Sequence, residues 1–521
     1  MIAVLRKFLL PLAATAILAG PAQAAPLKLA LAAEVSTLDP HYLNIAPNVA
    51  FSSHLFDALV LVDHNGGLIP GLATSWRAVD ATTWEIKLRP NVKFHDGSAF
   101  TADDVVFSLE RPASLKNSPG PFASYTRQIA SKQVVDPLTL RLKTTAPYGP
   151  LPLDLSTIFI VSKKAAQNAT TEDFNSGRAL VGTGPFKFAS FRPGESIELT
   201  RNDAYWGGKP SWEKVTFRMI SSDASRLAAL LAGDVDAIEN VPTADLAKLK
   251  SQPKFTLAQR TSWRTIFWHL DHSSSVARYV TDKAGKPLPQ NPLRDVRVRR
   301  ALSMAINRTA LTERIMEGLA VPAANIVSPG ILGFNPAQKP EAFDPEGARK
   351  LLAEAGYPNG FALTLHGPKN RYINDEKVVQ AVAQFLSRVG IQAKVETLPL
   401  SVYFGRARSG EFSMALLGWG TLAGDFGLRT LVGTPNPETG WGSWNWGKYS
   451  NKAVDELVRS SLGSVDQAKR ADFAQKAAAV ALKDHAVIPL HHQSATWAMR
   501  KGLKYTARVD EFTFAHQFQP E

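Results

Sequence analysis

The sequence predicts a mixed α/β protein with more than one domain, and three observations support this class. At 521 residues the chain is longer than one hydrophobic core usually organises, so two or three domains are expected. Residues 83–89 alternate apolar and charged side chains, as a half-buried strand does. Residues 223–239 read as an alanine- and leucine-rich helix that stops at Gly233 and continues into a strand. The same order recurs at 344–356 and 377–396, which is typical of α/β lobes.

The N-terminus has the pattern of a cleavable export signal. Arg6 and Lys7 form a basic region, residues 8–19 an apolar region, and residues 22–24 a small-residue cleavage site. We expect cleavage after Ala24. The apolar run is too short to span about 30 Å of hydrocarbon, and no later stretch approaches roughly 18 uninterrupted apolar residues. These features predict an exported, soluble periplasmic protein.

Composition excludes several kinds of site. The sequence contains no cysteine, so disulfides, thiolate metal sites and a lipid-modified N-terminal cysteine are excluded. The net charge is +13, and losing Arg6 and Lys7 takes 59 Lys and Arg to 57 against 46 Asp and Glu, which leaves +11. The densest basic cluster, residues 294–308, follows an amphipathic helix pattern without interleaved aromatic residues. It predicts a solvated helix face and no nucleic-acid partner.

A series of motifs follows in a fixed order along the first part of the chain. They are STLDP at 36–40, GLATSW at 71–76, TWEIKLR at 83–89, FHDG at 94–97, TADDV at 101–105 and VGTGPF at 181–186. This order resembles the signature region of the family 5 extracellular solute-binding proteins. These are large periplasmic receptors of ABC importers that carry oligopeptides, dipeptides, nickel and opines.

The resemblance implies a two-lobed periplasmic binding protein fold of type II, in the large peptide-receptor subclass. Lobe I would comprise residues 25–270 after the signal peptide 1–24, with an extra subdomain at roughly 58–190. Lobe II would comprise residues 271–486, and residues 487–521 would return to lobe I. We expect the chain to cross between the lobes near residues 266–275 and again near 487–492.

Residues 403–446 are the richest candidate site. They place aromatic and charged side chains among glycines: Tyr403, Phe404, Arg406, Phe412, Trp419, Asp425, Phe426, Arg429, Trp441, Trp444 and Trp446. Core packing is the alternative, but the glycines and polar neighbours make continuous burial difficult. An aromatic-lined pocket with a few polar groups is how small-molecule sites are built.

The resemblance also assigns individual ligand contacts. In dipeptide- and oligopeptide-binding members, an aspartate three residues after a Gly-Trp pair binds the peptide amine. Here the pair is Gly418-Trp419 and that position is Leu422, so Asp425 is the candidate replacement. A carboxylate-binding arginine of the dipeptide receptors falls on Arg371, for which an exposed loop arginine is the alternative. The expected ligand-binding residues are Arg371, Tyr372, Tyr403, Trp419, Leu422, Asp425, Trp441 and Trp444.

The resemblance implies the substrate-binding component of an ABC importer, working as a monomer with permease and ATPase subunits and needing no cofactor. Leu422 leaves open a non-peptide ligand, such as an opine or another small anionic or zwitterionic solute. Nickel is less favoured, because His491 and His492 are neighbours on a predicted strand and point to opposite faces. An exported hydrolase is the remaining alternative, but no nucleophile or metal motif is visible, so we expect no enzyme activity.

Overall fold

The computed structural model describes residues 26–118, 122–369 and 371–521, without the side chain of Ser401. The predicted signal peptide 1–24 and its cleavage site lie outside the described residues. Within the described ranges, every helix is too short or too polar to cross a lipid bilayer.

Strands and helices alternate along the chain, as the sequence predicts. The strands are β1 (Leu27–Leu31), β2 (Val60–Val62), β3 (Leu68–Pro70), β4 (Ala73–Ala78), β5 (Thr83–Leu88), β6 (Ile129–Asp136), β7 (Thr139–Thr144), β8 (Phe186–Arg192), β9 (Ser196–Arg201), β10 (Lys214–Met219), β11 (Ala237–Glu239), β12 (Phe255–Leu270), β13 (Val280–Thr281), β14 (Ala320–Pro322), β15 (Ala362–Lys369), β16 (Gln392–Pro399), β17 (Met414–Gly420), β18 (Val487–Arg500), β19 (Leu503–Lys504) and β20 (Gln519–Pro520). The α-helices are α1 (Ala46–Ser52), α2 (Ala102–Ser114), α3 (Ala123–Thr126), α4 (Leu151–Asp154), α5 (Lys163–Ala166), α6 (Thr171–Asn175), α7 (Asp223–Ala232), α8 (Thr243–Lys250), α9 (Val296–Met304), α10 (Arg308–Ala310), α11 (Pro345–Glu354), α12 (Asp375–Ser387), α13 (Leu400–Arg408), α14 (Gly424–Leu431), α15 (Lys452–Gly463) and α16 (Gln467–Lys483).

The helix-then-strand units form for the reasons the sequence gives. At α7 the Ser222 hydroxyl accepts the Ser225 amide, and Gly233 ends the helix with φ of 82°. At α11 the Asp344 carboxylate accepts the Gly347 amide, and Pro345 occupies the first helical position. The predicted mixed α/β class is confirmed.

One large mixed sheet runs through both lobes. Its order is β13-β15-β17-β12-β18-β11-β1-β10-β9-β8, with β14 added to β18 and β16 added to β15. The β13–β17 end belongs to the second lobe and the β11–β8 end to the first. The long antiparallel pair β12 and β18 lies in the middle and joins the two ends.

The change of lobe occurs inside these two strands. Residues 264–270 of β12 pair with β17, whereas residues 497–499 of β18 pair with β11. The pairing of β12 with β18 shifts register between Thr261 and Thr265. This shift lies just before the expected crossing at 266–275. The lobe boundaries after residues 270 and 486 stay a prediction, and the register shift marks one place within β12 where we propose that the lobes join.

An extra antiparallel sheet, β4-β5-β7-β6, forms the subdomain. Trp84, Ile86 and Leu88 on β5 are buried, as their alternation predicts. The apolar cluster around them continues into α15 and α16 of the second lobe. The Gly149 amide donates to the carbonyl oxygen of Leu462 on α15 at 2.8 Å. The subdomain therefore touches both lobes at one end of the molecule.

A buried carboxyl group lies where the subdomain meets the second lobe. Asp154 is 3% exposed, and its Oδ2 accepts the Tyr148 hydroxyl at 2.7 Å. Burial raises the pKa of Asp154 to about 7, against the lowering effects of the Tyr148 hydrogen bond and the positive charges of Arg429 and Arg470. The folded protein therefore holds this proton at pH values where the unfolded chain releases it.

We expect Asp154→Asn to stabilise the protein at alkaline pH but not at acidic pH. The raised pKa makes the wild type lose stability as pH rises from about 4 to about 7, whereas an amide cannot ionise. The full effect is up to roughly 4 kcal/mol, since one pKa unit corresponds to about 1.4 kcal/mol. Thermal melting of both proteins at pH 4 and pH 8 measures it, with the exposed Asp472→Asn on α16 as a control. An equal shift at both pH values would contradict the assignment.

Candidate functional site

A cleft of about 2500 Å³ opens between the two lobes. The first lobe lines it with residues 221–224 and 239–244, and the second lobe with 371–377 and 417–422. Residues 510–514, which follow β18 back into the first lobe, line it as well. Sites for small molecules usually enclose about 300–1,000 Å³. This cleft has room for a ligand larger than a single amino acid.

Arg371 lies in a tight turn between β15 and α12. The Asp375 carboxylate accepts the backbone amides of Arg371 (2.8 Å) and Tyr372 (3.1 Å), which fixes the turn. Asn374 adopts a left-handed φ of 54°, and its Nδ2 donates to the Thr243 hydroxyl of the opposite lobe at 3.1 Å. The turn therefore holds the predicted arginine in the cleft wall and contacts the facing lobe.

The Arg371 guanidinium faces the cleft without an ion-pair partner among the described residues. Its Cζ lies 5.2 Å from the centroid of the Tyr372 ring. Desolvation by the cleft walls, together with the positive charge of Arg264, lowers the pKa of Arg371. A ligand carboxylate would offset both effects, because a guanidinium binds a carboxylate through two parallel hydrogen bonds.

Arg264 is the buried charge beside it. Its Nε donates to Oε1 (3.1 Å) and Oε2 (3.0 Å) of Glu511, which also accepts the Ser262 hydroxyl at 2.8 Å. Glu511 is thus paired with Arg264 and forms no ion pair with Arg371, although its negative charge raises the pKa of Arg371 against the effects of burial and Arg264. This pair was not expected from the sequence. A charged residue within the apolar run of β12 is a signal that could have identified Arg264.

Tyr372 is 7% exposed and fixes the turn against β17. Its hydroxyl donates to the carbonyl oxygen of Gly418 at 3.2 Å. A Cβ at Gly418 would lie 2.6 Å from the Tyr372 ring and 2.6 Å from Ile266, so only glycine allows this packing. The glycine of the Gly418-Trp419 pair thereby brings Tyr372 and Trp419 to the same wall.

Trp419 and Trp444 form an aromatic part of the second-lobe wall. Their ring centroids lie 5.2 Å apart, and Phe404 packs 5.8 Å from Trp444. All three residues line the cleft. This agrees with the expected aromatic lining, and the contribution of these rings to ligand binding stays a prediction.

Leu422 lines the cleft but faces an apolar environment. It packs with Ile331 and Val509 in a small hydrophobic cluster, and a Cβ at Gly66 would lie 2.9 Å from its Cδ2. An ionised side chain at this position would be desolvated against these neighbours. The structure therefore has an apolar side chain at the position where the resemblance implies an amine-binding carboxylate.

The structure does not place Asp425, the expected replacement, in the cleft. Asp425 is fully buried on α14 and does not line the cleft. Its Oδ2 accepts the Arg470 Nε at 2.6 Å and its Oδ1 accepts the Arg470 Nη2 at 2.9 Å, while the Ser461 hydroxyl donates at 3.2 Å. The carboxylate joins α14 to α16, and its charge is already compensated.

Two other predicted contacts also lie away from the cleft. Tyr403 is fully buried and donates its hydroxyl to the carbonyl oxygens of Leu416 (2.7 Å) and His366 (3.2 Å), so it fixes α13 to the sheet. Trp441 packs under the Arg459 guanidinium at 5.0 Å, outside the cleft lining. Of the eight expected residues, the structure brings five to the cleft: Arg371, Tyr372, Trp419, Leu422 and Trp444.

Comparisons with known proteins agree with this architecture. The model for "Bacterial extracellular solute-binding proteins, family 5 Middle" matches residues 67–433. The glutathione-binding protein GsiB of Shigella boydii is 29% identical over 504 residues, which cover 94% of this chain and 93% of the relative. The dipeptide-binding protein of Escherichia coli is 28% identical over 468 residues, which cover 84% of this chain and 83% of the relative.

A solved structure has the same fold along nearly the whole chain. The ABC transporter-associated periplasmic binding protein DppA from Helicobacter pylori, in complex with the peptide STSA, superposes with a TM-score of 0.79 at 27% identity. The superposition covers 95% of this chain and 98% of that chain. The family match spans well over half of the sequence and includes the turn of Arg371 and the Gly418-Trp419 pair. The chain therefore belongs to the bacterial extracellular solute-binding proteins of family 5.

Proposed function

We propose that this chain is the periplasmic substrate-binding component of an ABC importer that captures short peptides or similar small solutes. The observation that carries the proposal is the exposed Arg371 guanidinium in a cleft between two lobes joined by β12 and β18. Hinge closure around a ligand would present the closed form to the membrane permease. The export signal at residues 1–24 supports a periplasmic location.

Peptides are favoured as the ligand class by two features of the cleft. Its volume of about 2500 Å³ accommodates several residues. Arg371, held by its turn over the Tyr372 ring, suits a terminal carboxylate. The relatives named for glutathione and dipeptides have ligands of this kind.

A non-peptide anionic solute remains the second candidate, and Leu422 favours it. Because this position is apolar, a free peptide amine has no partner there. A solute without that amine, of the opine type, would still engage Arg371. A metal cargo finds less support, since no group of three or more His, Asp or Glu in the described ranges is placed to hold an ion.

We expect the purified protein to bind a peptide with one-to-one stoichiometry and to leave it intact. Isothermal titration calorimetry with di- and tripeptides measures the binding, and mass spectrometry of the mixture measures any cleavage. Mass spectrometry of denatured protein after gentle purification identifies retained cargo. Turnover of the peptides without saturable binding would favour the hydrolase alternative and reject the receptor.

We expect Arg371→Gln to weaken peptides with a free C-terminal carboxylate by about 10- to 100-fold, because a charge-assisted hydrogen-bond pair is lost. C-terminally amidated peptides should lose much less. The matched control is Arg388→Gln, since Arg388 is an exposed arginine that directly follows α12, lies over Phe385 at 5.8 Å and is outside the cleft. Equal losses for free and amidated peptides would show that Arg371 does not bind the carboxylate.

A further inference from the structure

The cleft has hydrogen-bond donors that lack acceptors. Among the described residues, the buried side-chain atoms of the cleft lining without a partner are Trp263 Nε1, Trp419 Nε1, Arg429 Nε and His516 Nδ1. The first three can only donate. Unpaired buried donors are costly, and a ligand rich in acceptor oxygens would satisfy them.

Arg429 is the charged member of this set, and it lies on α14. Its Cζ lies 4.9 Å from the centroid of the Phe426 ring, which in turn stacks at 6.0 Å on Tyr125 of the subdomain. The guanidinium makes no hydrogen bond or ion pair within the part of the chain that the structure describes, and its Nη atoms are not among the buried unpaired atoms. Arg429 therefore presents a positive charge without an ion pair at the junction of the subdomain with the second lobe.

The acids near this position form no ion pair with Arg429. Asp154 accepts the Tyr148 hydroxyl, and burial raises its pKa to about 7, so it is partly protonated at neutral pH. Asp425 accepts hydrogen bonds from the Nε and Nη2 atoms of its partner Arg470.

Arg127 on the facing rim adds positive charge. Its Nη1 lies 3.8 Å from the position that a Cβ would take at Gly440. It is exposed and has no ion pair among the described residues.

Arg429 and Arg371 have different surroundings. Arg371 follows β15, lies over Tyr372 and is near Arg264. Arg429 is surrounded by the subdomain residues named above. Both line the same cleft. The cleft thus has two separate guanidinium groups without an ion pair among the described residues, although Glu511 and Asp375 attract Arg371 and Asp154 attracts Arg429.

We propose that Arg429 forms a second anion-binding position, so that the preferred ligand carries two separated carboxylates. This inference rests on the proposed receptor function and names its ligand class, an acidic peptide. The terminal carboxylate binds Arg371, and the side-chain carboxylate of an Asp or Glu residue binds Arg429. Phe426, Trp419 and Trp444 pack against the intervening part of the ligand.

The test compares tripeptides of alanine that carry either Glu or Gln at each position in turn. Calorimetry on the wild type should show that Glu binds at least about tenfold more tightly than Gln at one position, as expected for an ionic hydrogen bond. In Arg429→Gln this preference should fall below about threefold. In Arg371→Gln the Glu and Gln peptides should weaken together.

The control variant is Arg459→Gln, which removes the same charge from the same lobe at an exposed position outside the cleft. It should keep the Glu preference. A wild type with no Glu preference at any position would overturn the proposal, even if Arg429→Gln failed to fold. So would a preference that survives in folded Arg429→Gln.

Glutarate and adipate, each compared with its monoamide, separate this proposal from the receptor function on which it rests. Neutral tripeptides that bind as well as acidic ones would leave the peptide receptor intact and reject the second anion position. Dicarboxylates that bind in the absence of any peptide binding would support the second position and reject peptide cargo. Binding of no compound would reject both.

Discussion

The pairing of β12 with β18 is the constraint on which the remaining structure depends. These two strands carry backbone hydrogen bonds that join the lobes. Residues 264–270 of β12 pair with β17 of the second lobe, and residues 497–499 of β18 pair with β11 of the first lobe. A sheet that continues through both lobes leaves the lobes free to move mainly where its register is irregular. That irregularity, between Thr261 and Thr265, is next to Arg264 and its partner Glu511. Hinge and ligand-binding wall are therefore adjacent in the chain.

Several acidic residues of the cleft already have partners within the protein. Glu511 binds Arg264, Asp510 binds Arg508, and Asp57 accepts hydrogen bonds from Thr183, Tyr205 and Trp206. Each carboxylate stabilises the fold or orders a wall. The guanidinium groups of Arg371 and Arg429 face the open space of the cleft. A guanidinium group without an ion pair attracts the anionic parts of a solute.

Local sequence patterns predicted much of the fold. The stop at Gly233 and the cap at Asp344 depend on neighbouring residues only, so they can be recognised without tertiary information. The alternation in β5 was equally informative, since burial of Trp84 and Ile86 follows from the period of a strand.

The candidate site was harder to predict, because its residues come from distant parts of the chain. Arg371 could be identified from a motif. The role of Asp425 could not be predicted, because its partner Arg470 is 45 residues away in the chain and no local pattern indicates their contact. The role of Arg264 depends on its ion pair with Glu511, which is 247 residues away in the chain. Part of the aromatic-rich segment lines the cleft, but sequence alone could not separate Trp444, which lines it, from Tyr403, which supports the sheet.

The turn from Arg371 to Asn374 has a practical consequence. One end of it presents a guanidinium to the ligand, and the other end contacts Thr243 across the cleft. The expected ligand contact at Arg371 and the contact between the lobes at Asn374 are thus only a few residues of backbone apart. A biosensor built on this scaffold would place its fluorophores beside this turn, on the exposed residues Lys377 and Ala244 of the two facing rims. The aromatic wall would then stay free for redesign of cargo selectivity.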